Sequence, residues 1–283
     1  MGRACDAVSA LESAEGSSSR GLEPLEHWLA GNPQKRWAEA NLQIPSGLVA
    51  ITMENKSKPK LQVMPMRSDE RLAQIIAVEI LPQMRPGKIL DIGCGDGVVS
   101  GYLPQGCSYQ GLDINDACIY EQRHDNPNVQ YIEPKRIPEL MQSEGPWETI
   151  LLLDVIEHTR DFTKLFELAL QRSRRNVLVS LPNELFILDR LRMLKGQELN
   201  AHSLDRLSDP EGFKHQFIIN IDKARSILSN VAGDNKFELV TEVVRPLISK
   251  NKILQPALRG LRAITDSQLW SMGSVFVFHR QST

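Results

Sequence analysis

The segment Ile89-Leu90-Asp91-Ile92-Gly93-Cys94-Gly95-Asp96-Gly97 constrains this chain more than any other. An apolar run of strand length stops at three glycines within five positions. The residues that follow, VVSGYLP, predict a helix. Glycine has no Cβ, so its backbone enters left-handed conformations and can lie close against a ligand. Strand, glycine turn and helix in that order form the crevice where open α/β sheets hold their ligands, at a strand's carboxyl end. A turn without a ligand accounts for the order but not for three glycines.

Spacing separates the ligand classes. A dinucleotide site reads G-x-G-x-x-G and aims a helix N-terminus at a pyrophosphate. Here the pattern is G-x-G-x-G, and Asp91 stands two residues before the first glycine. A carboxylate there suits a ligand with a cationic amino-acid group better than a pyrophosphate. Asp113 in GLDIN follows Gly93 by 20 residues. That spacing fits an acid holding ribose hydroxyls in either kind of site, and an Asx turn is the plainer alternative.

Around this turn, strand and helix patterns alternate from about residue 67. SDERLAQIIAVEILPQM has helical apolar spacing with Ser68 as its cap. KILDIG, SYQGLDI, NVQYIE, WETILLLDVI, NVLVSLP, FELVTEVV and SVFVFH read as seven strands. DFTKLFELALQRSRR is an amphipathic helix whose basic end holds Arg172, Arg174 and Arg175. IDKARSILSNVAG is a second helix, with Asp222 as cap. The alternation predicts a doubly wound, Rossmann-like α/β sheet.

LDIGCGDG resembles the first motif of class I S-adenosylmethionine-dependent methyltransferases, and the resemblance continues over roughly residues 70–245. It implies a seven-stranded, mostly parallel sheet with an antiparallel edge strand. It also implies a cofactor site. Asp91, Gly93, Cys94, Gly95 and Gly97 would pack under S-adenosyl-L-methionine, and Asp113 with Ile114 would hold the ribose. Glu133 in VQYIEP is the nearest match to the residue that contacts the adenine amino group, although Pro134 displaces the usual acid. Leu153 and Asp154 would border the cofactor.

LLLDVIEHTRDF is similar to the DVLEH segment of a subgroup acting on quinone precursors, sugars and other small metabolites. The resemblance puts Glu157 and His158 at the reaction crevice. His158 has the chemistry of a general base for an acceptor hydroxyl. The pair equally has the chemistry to bind a divalent cation, or to do no more than order the loop. Methyl transfer from a sulfonium needs no metal, and none is assigned.

After SLPN, about 40 residues precede the next helix, long for a connection in a compact domain. Apolar residues at 185, 188, 191 and 194 have helical spacing. Arg190, Arg192, Lys195, His202, Arg206, Lys214 and His215 lie in the same stretch. It reads as an acceptor lid at about 183–220, suited to an acidic acceptor, or as a solvated helix face. His215 resembles a lone His preceding F-[ST] in relatives and joins Glu157 and His158 as a catalytic candidate.

Other acceptors are pruned by missing motifs. No (D/N)PPY follows the fourth strand, as in base-amine enzymes. There is no Pro-Cys pair as in cytosine-C5 enzymes, and no second glutamate as in arginine enzymes. A net charge of -2 argues against nucleic acid held by global positive charge. No apolar run of membrane-spanning length occurs. Cys5, Cys94, Cys107 and Cys118 lack zinc-site spacing, which with the missing secretory signal suggests the cytoplasm. Residues 1–66 read as an extension: a disordered tail, short helices around Trp28 and Trp37, and the linker MENKSKPK. Residues 67–283 form the methyltransferase domain. A non-catalytic scaffold with this fold and a nicotinamide-dependent oxidoreductase remain as alternatives; the oligomeric state is not legible.

Overall fold

The computed structural model describes residues 59–64, 72–115, 126–209, 212–247 and 265–282, with Pro256, Leu258 and Gly260. All of these fall in the second of two units, Ser57–Thr283. The expected tail, the short helices and the Ser68 cap lie outside the described residues.

In chain order the elements are β1 (Lys60–Val63), α1 (Leu72–Ile75), β2 (Lys88–Ile92), β3 (Ser108–Asp113), β4 (Val129–Tyr131), α2 (Ile137–Ser143), β5 (Trp147–Leu153), α3 (Lys164–Arg172), β6 (Ser173–Pro182), α4 (Ile187–Leu194), α5 (Ile221–Asp234), β7 (Phe237–Pro246), α6 (Ser267–Trp270) and β8 (Ser271–Arg280). Helical turns extend α1 through Ile76–Ile80 and Leu81–Gln83. The strands form one sheet in the order β1-β7-β8-β6-β5-β2-β3-β4. Only β8 runs antiparallel to its neighbours. No helix among the described residues is long and apolar enough to cross a membrane.

All seven strands read from the sequence are present, in a doubly wound, mostly parallel sheet. Two details differ from expectation. An eighth strand, β1, pairs with β7 from Lys60 opposite Thr241 to Val63 opposite Val244. It lies upstream of the boundary expected at residue 67. Four residues, KLQV, carry too little pattern to read, and Leu61 and Val63 are exposed. The antiparallel strand is also not at an edge, since β8 sits between β6 and β7. Val275 to Phe278 are buried on both faces, the profile of an inner strand.

Alternation along the strands builds two cores. Leu90 and Ile92 of β2 join Leu112, Trp147, Phe166, Leu170, Phe276 and Phe278 beneath α2, α3 and α5. Ile89 faces the other way, with Leu151, Leu178 and Val275, beneath α1. Burying such apolar area supplies most of the folding drive. An ion pair fastens α5 to the sheet. Arg225 on α5 donates through Nε to Glu242 Oε2 at 2.6 Å and through Nη2 to Oε1 at 2.9 Å, and Glu242 on β7 is buried.

Local chemistry shifts three boundaries. Asn220, rather than Asp222, caps α5, its side chain accepting from Lys223 N at 3.0 Å. Asp222 pairs with Arg225 in the first turn. Arg174 and Arg175 do not end α3; they open β6, where they lie 3.9 and 3.4 Å from Glu148 carboxylate oxygens. After the glycine turn the helix is one tight turn, Val98–Tyr102, before Pro104, which cannot continue it.

Candidate active site

At the end of β2, Gly93, Gly95 and Gly97 have φ of 71, 60 and 69°. These are left-handed conformations that a side chain disfavours. Space is short as well. A Cβ on Gly93 would sit 2.4 Å from Val155 Cγ2, and one on Gly97 2.4 Å from Val129 Cγ2. The turn is tied to β3, since Gly93 N and Cys94 N both donate to Leu112 O, at 2.7 and 3.2 Å. Gly95 N donates to Asp113 Oδ2 at 2.7 Å, and Asn115 N to Oδ1 at 2.9 Å. Asp113 therefore clasps the loop and shapes the ligand wall.

Asp91 lies on the opposite face of β2, almost fully buried. Tyr109 donates its hydroxyl to Asp91 Oδ2 at 2.8 Å, while Oδ1 has no hydrogen-bond partner. Burial pushes the Asp91 carboxyl up to about 7, against the Tyr109 bond, with the charge of Asp113 adding to the rise. Burial and the neighbouring Asp91 likewise raise the Tyr109 phenol above its ordinary range.

A cavity of about 400 Å³ opens at the carboxyl ends of β2, β3 and β5. Gly93, Asp113, Ile114, Asp154, His158 and His215 all line it, so six of the predicted site residues meet there. Phe213, Arg206, Pro134 and Ile137 complete much of the wall. Other predicted residues are placed elsewhere. Cys94 Sγ lies toward Gly111, where a Cβ would stand 2.6 Å from it. Gly95 and Gly97 shape the turn from behind, and Leu153 packs into the α1-side core. Glu133 is not brought to the cavity; it is exposed and pairs with Lys135 at 2.6 Å, as a strand-end carboxylate does when nothing covers it.

Asp154 enters the wall with φ 52°, unusual for a non-glycine. Its backbone N donates to Ser180 Oγ at 2.8 Å, and Ser180 Oγ stands 2.6 Å from its Oδ1. Arg245 Nη1 lies 3.7 Å from its Oδ2.

Beyond Asp154 lies a cluster of acids and imidazoles. Glu157 is almost fully buried, and neither carboxylate oxygen has a hydrogen-bond partner. Burial first, then the charge of Asp154, raises its carboxyl well above the usual range. The rings of His158 and His215 meet edge to face, 4.6 Å between centroids. Burial and the neighbouring His215 lower His158 from its ordinary value, so its neutral form dominates near pH 7.

Glu184 was not legible as a site residue. It accepts from His215 Nδ1 at 2.9 Å and from Ile219 N at 2.8 Å, with His202 Nε2 at 3.1 Å. Burial opposes its charge, but the bonds from His215, Ile219 N and His202 outweigh it and hold the carboxyl below its usual range. A signal did exist: an acid directly after SLPN, upstream of two histidines in the long connection. Asn183 beside it anchors the strand end, donating through Nδ2 to Gln268 O at 2.7 Å and Ser271 O at 2.9 Å.

The predicted lid helix is present as α4, with Leu188, Leu191, Met193 and Leu194 exposed. Of the basic residues in that stretch, Arg206 and His215 reach the cavity. Arg190 bonds the Leu185 carbonyl, Arg192 pairs with Asp189 at 2.9 Å, and Lys214 bonds the Leu207 carbonyl.

Residues 66–226, more than half of the chain, match a family described as a methyltransferase domain. No curated protein matches the chain. Among solved structures, the magnesium protoporphyrin IX methyltransferase of Synechocystis PCC 6803 with bound SAH is 16% identical, covering 69% of this chain and 75% of its own, with a TM-score of 0.40. A SAM dependent methyltransferase from Archaeoglobus fulgidus is 14% identical, covering 69% and 86%, with a TM-score of 0.42. A plantazolicin methyltransferase in complex with SAH is 15% identical, covering 74% and 82%, with a TM-score of 0.44.

Proposed function

Because this chain belongs to the family of methyltransferase domains, with S-adenosyl-L-methionine as methyl donor, we propose that it methylates a hydroxyl, or an amine, of a small and acidic metabolite. The observation that carries this reading is one cavity shared by the glycine turn, Asp113, His158 and His215.

The chain's residues fit the cofactor. Three glycines present bare backbone at the end of β2, and two buried carboxylates flank it. When bound, the cofactor supplies a methyl group already activated by its sulfonium. Asp113 would hold the ribose hydroxyls with the lone pairs its two backbone bonds leave. Ile114, Pro134 and Ile137 would cover the adenine with apolar surface. Asp91, buried beneath the turn on the other face of β2, would favour the cationic amino group through its charge rather than by contact.

What remains for the protein is positioning and proton removal. The acceptor would enter between His158, Arg206 and His215. Arg206, whose Nε already pairs with Asp209 Oδ2 at 2.6 Å, would turn its remaining guanidinium nitrogens to an acidic acceptor. His158 and His215 would hold the acceptor oxygen where its proton can be removed, while the lid excludes water.

Calorimetric titration with S-adenosylhomocysteine and with NAD(H) tests the reading, using Asp113→Ala as control. The expected result is micromolar binding of S-adenosylhomocysteine that the variant weakens by roughly 100-fold. Binding of NAD(H) in its place overturns the reading.

A further inference from the structure

Methyl transfer alone does not explain Glu157. Its carboxylate is buried, and neither oxygen accepts a hydrogen bond. A buried carboxylate is tolerated when it is paired or bound to a metal. Arg245, whose charge reaches it, stands against Asp154 instead.

What faces Glu157 is imidazole. One donor atom from each of Glu157, His158 and His215 lies within 4.8 Å of the other two. The His215 ring is held from outside by an oxygen. His215 Nδ1 lies 2.9 Å from Glu184 Oε1, so its Nε2 keeps the lone pair. The Lys214 backbone favours the charged form of His158, and the His158 Nδ1 is buried with no partner. Outer oxygens fix the tautomer and orientation of metal-binding histidines in this way. A second cluster, Glu184, His202 and His215, is equally compact, but its carboxylate is already filled by His202, His215 and Ile219 N.

We propose that Glu157, His158 and His215 bind a first-row transition-metal dication of the zinc or iron(II) type, with Glu184 orienting His215 from behind. Two imidazoles and one carboxylate suit such ions better than magnesium or calcium, which favour all-oxygen sites. Bonds near 2.1 Å set tetrahedral donors about 3.4 Å apart, so the cluster closes by about 1 Å onto the ion. Three protein ligands leave a position open, and His158 and His215 direct it into the cavity they line. An acceptor oxygen taking that position would lose its proton to water more readily. This last role rests on the methyl-transfer reading; the site itself does not.

The test uses the full chain, stripped with chelator and titrated with Co2+, with its visible absorption bands as readout and Zn2+ as competitor. One equivalent is expected to bind. Glu157→Gln and His215→Ala should weaken binding by roughly 100-fold and Glu184→Gln by roughly 10-fold, while His202→Ala stays within about 3-fold. Circular dichroism confirms that each variant is folded, and Glu157→Gln removes a buried charge without changing shape. No stoichiometric binding to the native chain overturns the site, as does binding that survives Glu157→Gln but is lost in His202→Ala. S-adenosylhomocysteine titrated into the stripped protein separates the two readings. If it binds and Co2+ does not, the metal site fails alone; if Co2+ binds and it does not, the methyl-transfer reading fails alone.

Discussion

The two walls of the cavity are made differently. On the cofactor side, strand ends and a glycine turn leave no freedom: backbone amides close onto Leu112 O and Asp113, and added atoms would collide. On the proposed acceptor side, between β6 and α5, one short helix and several tight turns expose apolar side chains, Leu194 at 83% and Leu207 at 70%. One wall is fixed by its own backbone bonds and close packing. The other is attached to that frame through a few side chains, chiefly Glu184, and can vary without disturbing the sheet.

The sharpest way to break this contrast is Gly93→Val. A branched side chain at φ 71°, against Val155, should cost at least about 2 kcal/mol of stability. It should also remove detectable S-adenosylhomocysteine binding. Binding within a few-fold of the native protein would show that the turn is not the rigid wall. Next comes deletion of residues 186–212. Acceptor turnover should vanish, while S-adenosylhomocysteine affinity stays within about 3-fold, since that wall belongs to β2 and β3. Unchanged turnover would remove the lid.

Arg225→Ala probes the frame that both walls share. It leaves Glu242 buried without its cation, and should cost about 3 kcal/mol in chemical denaturation, with little change in cofactor affinity measured per folded molecule.

Asp91 gives a pH signature to the cofactor side alone. Its folded pKa is raised to about 7 from 3.8. The folded state therefore holds a proton that the unfolded chain has lost, and stability falls as pH rises through that interval. Asp91→Asn should gain on the native protein by on the order of 4 kcal/mol between pH 4 and 8, read from melting curves. No relative gain would mean that Asp91 is solvated. The smallest effect belongs to Leu194→Lys on the acceptor side, which should change stability by less than about 0.5 kcal/mol.

The same contrast governs what the sequence discloses. Seven strands were legible because buried strands need continuous or alternating apolar residues. The glycine turn was legible because left-handed backbone selects glycine. Asp113 and His158 could be placed at the cavity because Asp113 ends a strong strand and His158 closes the turn after another. Glu184 escaped because its role depends on residues 18 and 31 positions away folding back onto it. No local pattern encodes that return. Glu133 misled because a strand end fixes only where the backbone stops. Whether a ligand covers the carboxylate depends on the next segment, and here Pro134 takes the wall position.

The edge strand bears on where translation of this chain can start without harming it. Lys60–Val63 supplies the parallel partner for β7. The chain has methionines at 53, 64 and 66. A product begun at Met53 retains the partner, whereas one begun at Met64 or Met66 lacks it and leaves the carboxyl half of β7 with unpaired amides and carbonyls. Open edges of that kind recruit other chains. Solubility would then separate the Met53 product from the other two.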